Sequence, residues 1–112
     1  MGMFDYVKVN INAVPGSLRP QFSRVVKDPR CKGEFQTKCT ECHMNTYRIS
    51  ADRTLFISKW NHDLEVYVES ACDYTGDIDF YTGTDRYGWV EYRASFDNGN
   101  LVKFVNTHIG SE

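Results

Sequence analysis

The chain has no long apolar run. Nothing in its 112 residues approaches the ~20 consecutive apolar positions of a membrane-spanning helix. Its start, Met1-Gly2-Met3-Phe4-Asp5-Tyr6, has neither the basic beginning nor the apolar block of a secretory signal. It also lacks the Ser or Thr at position 6 that a myristoylation signal needs. The expected compartment is cytosolic, where thiols stay reduced, so two disulfides among the four cysteines is the weaker reading. A Gly-rich phosphate loop, a nucleophile elbow and a dinucleotide fingerprint are all missing, which argues weakly against an enzyme. There is no internal repeat, low-complexity tract or linker, and the length fits one compact domain, residues 1–112.

What is present is a foldable composition. Hydrophobic residues make up 41% and charged residues 25%, enough for a buried core and against wholesale disorder. A domain of this size folds without metal or disulfides. The net charge of −2 hides an asymmetry. Residues 1–60 carry ten Lys/Arg against five Asp/Glu, and residues 61–112 carry three against ten. Either basic and acidic strands lie side by side and neutralise, or the molecule has two poles, one suited to an anionic partner.

Seven tyrosines and seven phenylalanines, many in short alternating runs, give the chain β character. Strands are expected at Phe4–Asn10, Phe35–Lys38, Met44–Ile49 and Leu55–Lys59. Leu64–Glu69 alternates strictly and should bury Leu64, Val66 and Val68. Asp77–Thr82 should turn Ile78 and Phe80 inward. Trp89–Phe96 and Leu101–Val105 flank Asp97-Asn98-Gly99. A three-residue loop there places Val102 and Phe104 on the face of Val90, Tyr92, Ala94 and Phe96. A two-residue turn would instead put Lys103 opposite Ala94, so the three-residue register is expected. Ser17–Val26 is the one helix candidate, with Leu18, Phe22 and Val25 on one face, Ser17 as cap and Pro20 in the first turn. The fold class is mainly β, or α+β: a curled or two-layer antiparallel sheet of about seven strands with at most one short helix.

Cys39-x-x-Cys42, followed at once by His43, is half of a zinc site, because a tight turn can bring two sulfurs to one ion. The other half must come from Cys31, His43, Cys72, His62 or His108, and no second paired motif exists. Cys31, Cys39, Cys42 and His43 are the candidate ligand set, set against ordinary thiols in a loop. No cofactor is otherwise expected. Trp60-Asn61-His62-Asp63 holds a His-Asp pair, read as an exposed turn rather than part of a hydrolase site.

Two further groups are candidates for binding. Glu65, Tyr67 and Glu69 share one strand face, and Asp77, Asp79 and Tyr81 share another. If those strands pair, four carboxylates crowd one surface, which needs a cation or a basic partner to offset it. With Asp73, Tyr74, Asp85, Arg86 and Tyr87 they form the expected partner-binding set, since Tyr and Arg in loops favour interfaces. Arg19, Arg24, Lys27, Arg30, Lys32 and Lys38 form a basic stretch suited to phosphate. A pI near 5.9 is not that of a typical duplex-DNA binder.

Several segments in order, Met1-Gly2-Met3-Phe4-Asp5, Glu34-Phe35-Gln36-Thr37-Lys38, Thr46-Tyr47-Arg48-Ile49, Gly76–Tyr81, Trp89–Phe96 and Gly99-Asn100-Leu101, resemble small proteins of tailed bacteriophages and prophages. The resemblance spans most of the chain and carries no activity to transfer. In those proteins a cysteine falls near the place of Cys42 but not generally at Cys39, which implies that any metal site is peculiar to this chain. It also implies a setting, the cytoplasm of an infected bacterial host. By analogy with small phage proteins that lack catalytic motifs, the expected function is a non-enzymatic accessory protein. It would bind and inhibit a host protein, with an anti-phage defence component as the first candidate. The alternatives are a sequestering binder of a nucleotide signal and a zinc-stabilised nucleic-acid-binding module. Open strand edges would also admit a homodimer, and no membrane partner is expected.

Overall fold

The computed structural model describes residues 5–31, 33–37 and 45–110. Eight strands form among these residues: β1 (Asp5–Val9), β2 (Phe35–Thr37), β3 (Thr46–Ile49), β4 (Leu55–Asn61), β5 (Val66–Ala71), β6 (Gly76–Thr84), β7 (Gly88–Asp97) and β8 (Asn100–Gly110). Among the described residues one helix, α1 (Arg19–Val26), follows a single 3-10 turn at Ile11–Ala13. The strands make one sheet in the order β5-β4-β3-β1-β2-β6-β7-β8. Every pairing is antiparallel except β1 with β3, which run parallel. The mainly β, curled antiparallel architecture read from the sequence is thus the architecture observed, with that one parallel pair inside it.

The sheet curls because its two halves meet at their turns. Thr54 bridges to Asn100, Leu55 N–H donates to the Gly99 carbonyl, and Leu101 N–H donates to the Arg53 carbonyl. The inner face then closes over the core. Val7, Phe35, Ile78, Phe80, Val90, Tyr92, Ala94 and Phe96 all turn inward and are buried. Ile78 and Phe80 lie inward as their alternation requires.

Helix α1 seals this face with Phe22 and Val25, both fully buried. Phe22 joins an aromatic cluster, 5.5 Å from Phe35, 5.3 Å from Tyr92 and 5.9 Å from Phe104 between ring centroids. Such edge and offset contacts add to the burial of the rings themselves. The Tyr92 hydroxyl donates to Gln21 Oε1 of the helix at 2.9 Å. Burial, and secondarily Cys31 and Tyr87, pushes its pKa far above the ordinary tyrosine range, so it stays a neutral donor. Ser17 does not cap the helix. Leu18 occupies that position without a side-chain bond, and the start is held by Leu18 and Arg19 N–H donating to the Pro15 carbonyl.

The last hairpin departs from the expected register. Asp97 pairs with Asn100, so the turn has two residues, Asn98 and Gly99, at φ 49° and 80°. That is the left-handed pair a type I′ hairpin turn requires. A bulge then intervenes: Phe96 faces Leu101, but Ser95 faces Lys103 and Ala94 faces Phe104. Val102 is the extra residue and points out, 65% exposed, while Leu101 and Phe104 are buried. Phe104 therefore reaches the apolar face as expected, Val102 does not, and the bulge does the work assigned to a longer loop.

The strand at Val66–Ala71 also differs from expectation. Leu64, Val66 and Val68 are exposed, not buried. β5 is the outer edge of the sheet, beyond the reach of α1, and nothing among the described residues covers its inner face.

Candidate functional site

The β4–β5 hairpin concentrates the exposed apolar surface. Among the described residues seven large hydrophobic side chains are exposed, and five lie here: Trp60, Leu64, Val66, Tyr67 and Val68, each 41–66% accessible. The pairing explains how they are displayed. Trp60 faces Tyr67 across the strands on the outer face, with ring centroids 5.2 Å apart and edge to face. Val68 faces Lys59 and Val66 faces Asn61 on the inner face. The hairpin is apolar on both sides, and the outer backbone edge of β5 pairs with no other strand among the described residues. Beside it a groove of about 550 Å³ is lined by Tyr47, Ile57, Lys59, Ser70, Cys72 and Tyr74, among others.

The expected partner-binding residues separate into three places. Glu65, Tyr67 and Glu69 belong to the hairpin. Glu65 sits in its turn at φ 55°. Glu69 receives both Arg48 Nε and Arg48 Nη2 at 2.9 Å. The hydrogen bonds from Arg48, with its charge, hold the Glu69 carboxyl below the usual carboxylate range against the opposing effect of burial. Arg48 also lies 4.5 Å over the Phe56 ring. Asp77, Asp79 and Tyr81 lie on β6, with four strands between it and β5, so the two acidic faces do not pair. Asp79 is bridged by Arg93 at 2.7 Å, and Asp77 accepts from the Ser95 hydroxyl at 2.6 Å. The expected crowding of four carboxylates does not arise. Basic and acidic halves of the chain meet instead at Arg48–Glu69. Tyr74 donates its hydroxyl to the Asp77 carbonyl, and neighbouring Asp73 lines the hairpin groove.

Asp85, Arg86 and Tyr87 form the β6–β7 turn, held by the buried Asp28 carboxylate. Its Oδ1 accepts from Arg30 N–H at 3.0 Å and Asp85 N–H at 3.1 Å, and its Oδ2 accepts from Arg86 N–H at 3.2 Å. Burial alone would raise the pKa of Asp28. The three N–H donors and the charge of Arg30 outweigh it and pull the group below its ordinary value. Arg86 stands 5.5 Å over the Tyr87 ring.

The basic stretch does not form one patch. Arg19 is spent on structure, its Nε donating to the Val14 carbonyl at 2.9 Å and its Nη2 to Asn12 at 3.1 Å. Arg24 and Lys27 line an open depression of about 540 Å³ with Asp28, Pro29, Asp85 and Arg86. Arg30 lines a different cleft, on the outer face of the sheet. Lys32 and Lys38 lie outside the described residues, as do Cys39, Cys42 and His43 of the proposed metal set. Cys31 is buried, with its thiol 3.6 Å from the Glu34 carbonyl. Among the described residues no group of three or more His, Cys, Asp or Glu could hold an ion, and no helix is long and apolar enough to cross a membrane.

Sequence reading put Trp60 in an exposed turn, whereas it is an outward residue of β4, and assigned Leu64, Val66 and Val68 to the core. Only the position of the strand in the sheet separates the two readings. No family model matches the chain, and no curated protein or solved structure is significantly similar to it.

Proposed function

We propose that this protein is a non-enzymatic binding protein that engages another protein through its β4–β5 hairpin. The observation that carries the reading is the gathering of Trp60, Leu64, Val66, Tyr67 and Val68, exposed on both faces of a hairpin at a sheet edge that is unpaired among the described residues. Contiguous exposed apolar surface of this kind marks interaction sites, and a free strand edge adds main-chain hydrogen bonds to a partner strand. Trp and Tyr are also the residue types that most often dominate binding energy. The resemblance to tailed-phage proteins supplies the proposed context: the cytoplasm of an infected bacterium, a host protein as partner, inhibition as the outcome, and an anti-phage defence component as the first candidate.

The test is affinity capture with the tagged protein from infected bacterial lysate, run beside Val68→Lys. Val68 is exposed, so the substitution should change stability by no more than about 0.5 kcal/mol. The wild type should retain a host protein at near-stoichiometric yield, and the variant should lose it. Equal retention by both, or none by the wild type, refutes the proposal.

A further inference from the structure

A second site lies on the outer face of the sheet, far along the strand order from the hairpin. Tyr6 pairs with Gln36, Gln36 with Tyr81, and Tyr81 with Glu91, so these four side chains form one row across β1, β2, β6 and β7. Trp89, two residues before Glu91, stacks on Tyr81 with centroids 4.8 Å apart and planes 26° from parallel. Its indole N–H donates to Glu91 Oε1 at 2.6 Å, which fixes the ring. The next outward position on β6 is Gly83, opposite Trp89.

Gly83 is not there for its backbone, since its φ is not in the left-handed region. It is there for room. A Cβ at this position would stand 3.1 Å from both Cζ and Nε of Arg30. The guanidinium thus rests on bare backbone beside the stacked rings. Its own backbone is set by the Asp28 clasp, through Arg30 N–H to Asp28 Oδ1. Among the described residues no carboxylate forms a salt bridge with the Arg30 guanidinium. The result is a cleft of about 440 Å³ lined by Tyr6, Arg30, Glu34, Gln36, Tyr81 and Trp89, among others. That volume is in the range of small-molecule sites.

We propose that this cleft binds a free mononucleotide. Each element matches one part of such a ligand. The Arg30 fork suits a phosphate, which it can hold with paired N–H donors. The Tyr81–Trp89 stack offers a flat, fixed surface to a nucleobase. Gln36, held between two tyrosines, presents both a donor and an acceptor to a heterocycle edge. Glu34 at the rim accepts from sugar hydroxyls. No catalytic step is implied, and the site is independent of the hairpin, so Val68→Lys should leave it unchanged.

The experiment is a titration of the full-length protein with AMP and UMP, followed by calorimetry and by ¹⁵N NMR of side-chain N–H signals. Adenosine and inorganic phosphate serve as partial ligands. The Trp89 indole and Arg30 Nε–H signals should shift together, and the Trp60 indole should not. Arg30→Gln should weaken nucleotide binding about tenfold or more, the usual cost of losing a charge-assisted contact. Gly83→Ala asks the flexible guanidinium to give by only a few tenths of an ångström and should weaken binding far less than Arg30→Gln, and thermal unfolding will confirm that both variants fold. Absence of binding of either nucleotide to the folded wild type would overturn the proposal. Arg30→Gln binding as tightly as wild type would overturn it too, and so would inorganic phosphate alone reproducing all of the shifts.

Discussion

Replacing Gly99 with alanine should destabilise the fold by about 3–4 kcal/mol, and the structure shows where that energy comes from. Gly99 has φ 80°, and an L-residue held there costs about 1–2 kcal/mol. The new Cβ would also stand 2.1 Å from the carbonyl oxygen of Cys72, well inside the 3.0 Å below which real Cβ contacts essentially do not occur. The obstacle is backbone, so the turn itself must retreat. Gly99 N–H donates to the Tyr74 carbonyl and its own carbonyl accepts from Leu55 N–H, both at 2.9 Å. Loosening these two bonds adds about 1 kcal/mol each. Gly33 is the matched control, with φ 78° and no neighbour among the described residues within 4 Å of its hypothetical Cβ. Gly33→Ala should therefore show only the conformational cost, about 1–2 kcal/mol. Urea and thermal unfolding followed by circular dichroism would measure both, with the melting point falling by roughly 15 °C for Gly99→Ala. If the two variants differ by less than about 0.5 kcal/mol, the clash with Cys72 and the loss of the two hydrogen bonds are not real features of the fold.

Two other tests address the hairpin bulge and the Asp28 clasp. Leu101→Ala should cost about 2–5 kcal/mol in unfolding experiments, while Val102→Ser should stay within about 0.5 kcal/mol; the reverse order would restore the register without the bulge. Asp28 has a folded pKa below its unfolded value, so its stabilising contribution is present above the unfolded pKa of 3.8 and disappears as pH falls through the folded one. Melting curves recorded from neutral pH downward should therefore show a shallower acid limb for Asp28→Asn than for wild type, and identical limbs would contradict the clasp.

Much of this fold could be read from periodicity alone. Ile78, Phe80, Val90, Tyr92, Ala94 and Phe96 alternate with polar residues, and each lies where that alternation puts it. Phe22 and Val25 mark the buried stripe of the one helix. The failures share a cause. Alternation reports that a strand has an apolar face, not whether anything covers it. Leu64-Glu65-Val66-Tyr67-Val68-Glu69 is as regular as β6, but Leu64 and Glu65 fall in the β4–β5 turn and the rest forms the sheet edge past the end of the helix. Chain neighbours β5 and β6 lie far apart in the sheet, so adjacency in sequence misled the reading of their acidic residues. The hairpin register failed more narrowly. The left-handed pair Asn98-Gly99 was available to a two-residue turn, and a one-residue bulge solved the burial of Phe104 that a longer loop had been invoked to solve. The outer cleft had no local signature, because its row of side chains is assembled from four strands and a bare glycine.

The central position of β1 has a consequence for how the molecule comes together. Strands β3, β4 and β5 form one antiparallel meander, and β6, β7 and β8 form another, each from a continuous stretch of chain. Such units close short loops at little entropic cost. β1 and β2 lie between them as a seam, and β1 meets β3 in parallel across an intervening helix. The two meanders can form early as separate pieces, and the seam is the long-range step that joins them. Until it closes, the inner flanks of both pieces are bare strand edges. During folding the chain therefore exposes two sticky margins in addition to the β5 edge it keeps open when folded, and the speed of stitching β1 and β2 between them sets how long it is vulnerable to pairing with the wrong partner.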